Sequence, residues 1–255
     1  MNTELKLGLR PPTFDPRDLK FKAYLKKALP QRPKGPFGHL KEMAEVPWGM
    51  LGNDRYGDCA WAGSAHEHML LNKLAGREVH FTTANVLEDY GNCTGFTIQS
   101  SDTDNGTDMR EQMVYRQNRG IVDSEGHRHL IGAYTWPDAG DFEQALQALW
   151  MLDFLAIGFR VPRYAMDQFN RGQKWDIDPD GDDTIEGGHY VPAFAYNSAG
   201  DLVVVTWGRE HAMTPAFYER FCDQCCAIIT LENLVNGKSP EGFLLQELQD
   251  DLNSL

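Results

Sequence analysis

An α+β fold, helices in the first half and strands in the second, is the architecture this chain predicts, and three observations carry it. Between Cys59 and Gly76 apolar residues recur at helical spacing, at Ala62, Ala65, Met69 and Leu70. Beyond residue 153 that period gives way to β-rich runs broken by Gly, Pro and Asn: FLAIGFRV (154–161), HYVPAFAYN (189–197), DLVVVTWG (201–208) and CCAIITL (225–231). Ahead of both, Pro11, Pro12, Pro16, Pro30, Pro33, Pro36 and Pro47 forbid a long helix.

Residues 1–50 therefore read as a Pro-rich extended arm laid over the body. Its basic cluster, Lys20, Lys22, Lys26 and Lys27, is either a solvated face or a docking segment for an acidic partner. Residues 51–140 form the helical lobe. The turn-rich GNDRYGD (52–58) leads into a buried helix starting at Cys59, with Asp58 as N-cap and Gly76 as stop. Helices follow at 83–91 and 107–119, the second starting from Thr107 or Asp108 and ending at Gly120. Residues 141–255 form the β-rich lobe. It opens with an amphipathic helix at 141–151 capped by Asp141, and it closes with an amphipathic tail, 241–255. The turn Tyr196–Asp201 makes a hairpin of 189–197 and 201–208, which brings the 189 end beside the 207 end.

Charge narrows the function. Against 24 Lys and Arg stand 37 Asp and Glu, a net of -13, so phosphate backbones and anionic membrane surfaces are repelled and neither is expected as a partner. No apolar run approaches the roughly 20 residues of a membrane span. The N-terminus shows no apolar h-region, so no secretory signal is expected. The five cysteines, an odd number, read as reduced thiols rather than a disulfide framework. The expected location is cytoplasmic or, for a chain released by lysis, virion-associated.

Two residues carry candidate chemistry. Cys59 opens a buried helix, where unpaired N–H groups and the helix dipole stabilise a thiolate. His189 follows Gly187-Gly188 at the start of a strand, 130 residues later. The simpler readings are a core cysteine and a hydrogen-bonded strand-end histidine. Taken in order with their surroundings, these residues resemble the papain-like cysteine peptidases. Gly57-Asp58-Cys59-Ala-Trp-Ala is similar to the nucleophile motif, Gly187-Gly188-His189 to the histidine motif, and Thr206-Trp207-Gly208 to the Asn-Ser-Trp-Gly motif. Asn53 stands where that family has its oxyanion-hole Gln, and Asp15-Pro-Arg-Asp18 resembles the opening of some bacterial and phage-encoded members.

The resemblance implies a two-lobe fold, a helical lobe with a buried nucleophile helix plus an antiparallel sheet or barrel lobe. It also implies hydrolysis of a peptide or amide bond by a Cys59–His189 dyad. Asn53 and the Cys59 backbone N–H would form the oxyanion hole, and Trp207 would shield the histidine. Val205 matches the family's histidine-orienting Asn and accepts no hydrogen bond, which leaves Thr206 as the candidate orienter. The alternative is a papain-fold structural or assembly protein, such as a phage virion component, with the arm and the tail as its interaction elements.

No cofactor is expected. One motif suggests calcium: Asp176, Asp178, Asp180 and Asp182 fit the start of a calcium loop, but Gly187 holds the position where the bidentate Glu belongs. A solvated acidic loop that disfavours acidic substrates is the plainer reading. Cys222, Cys225 and Cys226 have no second pair and read as buried strand cysteines rather than zinc ligands.

Overall fold

A computed structural model describes residues 5–25, 31–230 and 243–254. Lys26, Lys27 and Pro30 of the arm, and the first residues of the tail, lie outside them. The arm contributes a single 3-10 turn, Phe21–Tyr24, then β1 (Phe37–Gly38) and α1 (Leu40–Met43). Next come α2 (Cys59–Leu74), α3 (Thr83–Thr94), a 3-10 turn at Ser101–Thr103 and α4 (Met109–Asn118). A small ribbon of β2 (Ile121–Val122) and β3 (Arg128–His129) precedes β4 (Ile131–Thr135) and α5 (Phe142–Leu152). The remainder is β5 (Leu155–Pro162), α6 (Arg163–Asn170), β6 (Ile185–Tyr196), β7 (Leu202–Thr206), β8 (Arg209–Met213), α7 (Pro215–Phe221), β9 (Cys222–Thr230) and α8 (Leu245–Ser254).

The main sheet runs β4-β9-β5-β6-β7-β8, with β1 added alongside β6 and every pairing antiparallel. Its strands β5, β7 and β9 are largely apolar on both faces because both are covered. Along β7, Leu202 and Val204 join one core with α5, α6 and α7, while Val203 and Val205 join another with α2, α3 and α4. The same alternation runs through β5 and β9, which is why the sequence shows continuous apolar runs there. The two cores are the interiors of the two lobes.

Local chemistry explains most boundaries. Asp141 accepts a hydrogen bond from the Gln144 N–H, Asp108 from the N–H groups of Arg110 and Glu111, and Thr82 from that of Asn85. Asp58 departs from expectation: although it sits at the N-cap of α2, its side chain makes no capping bond. The turn before α2 is held instead by Asp104, whose two carboxylate oxygens accept from the Gly57 N–H at 3.1 Å. Besides the 3-10 turns and the short β1, α1, β2 and β3, four elements went unforeseen. α6 and α7 are short helices between strands, β8 is a charged strand, and β4 is a five-residue run that carries the sheet into the 51–140 stretch.

Tail and arm meet on the body: Phe243 stacks on Phe21 at 5.8 Å, and Leu248 of α8 is fully buried. No described helix is long and apolar enough to cross a membrane.

Candidate active site

α2, the turn before it and the β6–β7 hairpin supply the side chains that the sequence singles out. α2 presents the Cys59 thiol at its first residue, and the thiol faces the backbone N–H groups of Ala60 and of Tyr190, the residue after His189 in β6. Asn53 comes from the turn before α2, and Thr206 and Trp207 come from the end of β7. His189 and Thr206 become neighbours through the β6–β7 hairpin.

The imidazole is firmly held. Its Nε2 lies 2.7 Å from the Thr206 hydroxyl, and the Trp207 indole stacks on its face, ring centres 4.2 Å apart and 16° from parallel. The ring edge of Phe159 closes another side. Nδ1 is buried and makes no hydrogen bond, so with Nε2 donating to Thr206 it stands as a bare acceptor. Strand alternation resolves the Val205 question: Val205 packs in the helical-lobe core, while Thr206, one residue on, turns toward the histidine. The chain reverses at Trp207 and Gly208, both in the left-handed region at φ 43° and 73°, which leaves the indole lying over the imidazole.

The cleft over these residues is filled by the chain itself. Residues 6–10 run through it as an irregular segment bridged at Leu9 to Gly188 and to Thr107. The N–H groups of Gly8 and Leu9 donate to the Gly188 carbonyl, at 3.1 and 3.0 Å, and the Gly8 carbonyl accepts from the Thr107 N–H at 2.8 Å. The Arg10 N–H donates back to the Thr107 carbonyl at 2.9 Å, and the Arg10 carbonyl accepts from the Gln224 amide at 2.9 Å. At the other end the Lys6 carbonyl accepts from the Asn53 amide (3.3 Å) and from the Trp207 indole N–H (3.2 Å). The fit depends on Gly8. A Cβ there would lie 1.9 Å from the Gly57 carbonyl oxygen, while Leu9 fills space left by the missing side chains of Gly158 and Gly188.

This covering sets the protonation states. Burial pushes the Cys59 thiol up to about 12, although the surrounding backbone N–H groups pull the other way. Burial alone pushes His189 down to about 3. Covered in this way, the thiol and the imidazole are both neutral.

Neither a family model nor a curated protein matches the sequence. Solved structures do. Xylellain, a cysteine protease from Xylella fastidiosa, superposes with a TM-score of 0.67 at 16% identity, covering 89% of this chain and 97% of that one. Digestive procathepsin L2 from Tenebrio molitor matches with a TM-score of 0.58 at 15% identity, over 89% of this chain and 79% of that one. The Carica candamarcensis cysteine protease CMS1MS2 matches with 0.55 at 14% identity, over 77% and 99%.

The chain has the papain-like fold. Within it Thr206 and Trp207 meet the His189 ring, Asn53 and Trp207 both donate to the Lys6 carbonyl, and the Cys59 thiol faces the N–H of Tyr190, the residue after His189. The arm fills the cleft over these residues. Asp104, Thr107 and Gln224 line it without having been foreseen, since nothing in their sequence context separates them from ordinary turn and strand residues.

The side chains of the acidic loop make contacts of their own. Asp176 accepts from the Thr214 hydroxyl at 2.9 Å, Asp178 from the Asp180 N–H at 3.1 Å, and Asp182 from Arg163 at 3.0 Å. Their oxygens serve turns and ion pairs instead of converging. Among the described residues no group of three or more His, Cys, Asp or Glu side chains is placed to hold a metal ion.

Proposed function

We propose that this chain is a cysteine peptidase, held latent by residues 6–10 of its own arm. The observation that carries the reading is the ladder over the thiol: a cleft that binds an extended peptide through its backbone, with Cys59 and His189 beneath it. With the arm displaced, water and substrate carbonyls reach both groups. The desolvation that now separates their pKa values is relieved, and His189 Nδ1 takes the Cys59 proton. The thiolate attacks the carbonyl carbon of a peptide bond. Asn53 Nδ2 and the Cys59 N–H donate to the developing oxyanion, and the imidazolium returns its proton to the leaving amine. Asn53 already donates to a peptide carbonyl, that of Lys6. Thr206 fixes the imidazole tautomer, and Trp207 keeps water from that hydrogen bond.

The structural or assembly reading rested on Val205. With Thr206 supplying the hydroxyl acceptor, that ground is weakened. The test is hydrolysis of an unstructured protein such as casein by the full-length chain carrying Leu9→Glu, with Cys59→Ala as the control. The reading expects cleavage that disappears in the control. No cleavage by the Leu9→Glu chain, or cleavage that survives Cys59→Ala, would overturn it.

A further inference from the structure

Two turns along α2 from Cys59 lies a charged group that the chemistry above does not use. Glu67 and Arg116 are completely buried, and Arg116 Nη2 lies 2.6 Å from Glu67 Oε2. The other carboxylate oxygen, Oε1, accepts from the phenol of Tyr190. The three side chains come from α2, α4 and β6, so one carboxylate joins both helical-lobe helices to the strand that carries His189.

The spacing ties this group to the nucleophile. Cys59, Gly63 and Glu67 are four residues apart on one face of α2. At Gly63 a Cβ would lie 2.5 Å from the Tyr190 ring, so only glycine lets the ring lie on the helix and reach Glu67. Tyr190 thus meets α2 twice, by its backbone N–H at the Cys59 sulfur and by its phenol two turns further on. α4 adds a second hold on the first turn of the helix: the Gln112 amide donates to the Ala60 carbonyl at 2.6 Å and to the Ser64 hydroxyl at 3.0 Å.

Stability alone does not explain such a group. An ion pair taken out of water usually gains no more than apolar side chains of the same volume would, and two nitrogens of Arg116, Nε and Nη1, are buried without a hydrogen bond. What the pair supplies is direction. Apolar contacts between β6 and α2 tolerate sliding, whereas a phenol, a carboxylate and a guanidinium in series have one register.

We propose that Tyr190, anchored by the Glu67–Arg116 pair, is the positioning residue that fixes His189 against Cys59. This rests on the dyad reading given above. Tyr190 touches neither substrate nor the transferred proton; it acts through the strand that holds His189 and through its own N–H on the thiol.

The test uses the full-length chain carrying Leu9→Glu as parent, with iodoacetamide as the probe of Cys59. Labelling rate is followed from about pH 4 to about pH 9, alongside the unfolding temperature. Adding Tyr190→Phe keeps the ring and removes the hydroxyl. Labelling below pH 7 should fall by about tenfold or more, and its onset should move toward the ordinary thiol range. Glu67→Gln, which keeps the volume and weakens the ion pair, should move the profile in the same direction. A lower unfolding temperature with an unchanged labelling profile in both variants would overturn the proposal and leave the group a packing feature. Adding His189→Ala to the parent separates the two levels: if it leaves low-pH labelling intact, no dyad is assembled, and the dyad reading and this proposal fall together.

Discussion

The hydroxyl of Thr206 meets the histidine while Val205 holds the place of the family's amide, and the consequence is local. Thr206 Oγ1 is 2.7 Å from His189 Nε2, a single contact that sets the tautomer and the ring plane. Thr206→Ala should leave the fold intact and lower turnover of the arm-displaced chain by about two orders of magnitude, while Thr206→Ser should retain most of it. Adding Val205→Asn to Thr206→Ala should not rescue activity, because position 205 points into the opposite core. Restored kcat in that double variant would show that the strand presents the other face to the histidine.

At the scale of elements, the arm segment is the part whose removal changes most. Its backbone hydrogen bonds each contribute about 1 kcal/mol net, and burial of Leu9 adds about 2 kcal/mol. Gly8→Ala places a methyl group against the Gly57 carbonyl, and Leu9→Glu buries a carboxylate without a partner. Either should raise Cys59 labelling at neutral pH by more than about tenfold in the full chain. Labelling as slow as in the unaltered chain would mean that residues 6–10 do not gate the cleft.

The sequence pattern revealed α2, the capped helix at 141–151 and the β6–β7 hairpin, because their caps, periods and turn residues act locally. Cys59 and His189 stand out at element ends, one opening a helix and one following two glycines, whereas the roles of Asn53, Thr206 and Trp207 came from the resemblance to papain-like peptidases. The seat of the arm and the Glu67–Arg116–Tyr190 group was not legible. Gly8 belongs in the cleft only because Gly57, Thr107 and Gly188 arrive there from distant parts of the chain. Glu67 and Arg116 carry no local signal in the sequence, and only the packing of α4 against α2 brings them together.

At the scale of the whole molecule, three buried histidines make acid costly. Burial pushes His189 down to about 3, and His66 and His211 to about 4, against an ordinary value near 6.5. Each stays neutral in the folded chain and takes up a proton once unfolded. Below about pH 6.5 the unfolded state therefore binds more protons, and stability falls as pH falls toward 4, by roughly 1.4 kcal/mol per pH unit for each fully buried histidine. The unfolding temperature should accordingly drop between pH 6.5 and 4. His66→Gln should flatten that drop, because the Gln amide can still donate to the Gly49 carbonyl that His66 now meets at 2.9 Å. A pH-independent unfolding temperature over this range would contradict the buried, neutral histidines.

The most direct measurement of the central claim is the rate at which iodoacetamide labels Cys59 from about pH 4 to about pH 9 in three full-length chains: unaltered, Leu9→Glu, and Leu9→Glu with His189→Ala. The structure predicts slow labelling throughout for the first, with the thiol pushed up to about 12, and fast labelling below pH 7 for the second. For the third, labelling should return to the ordinary thiol range. Equal profiles in the second and third chains would contradict a Cys59–His189 pair waiting beneath the arm.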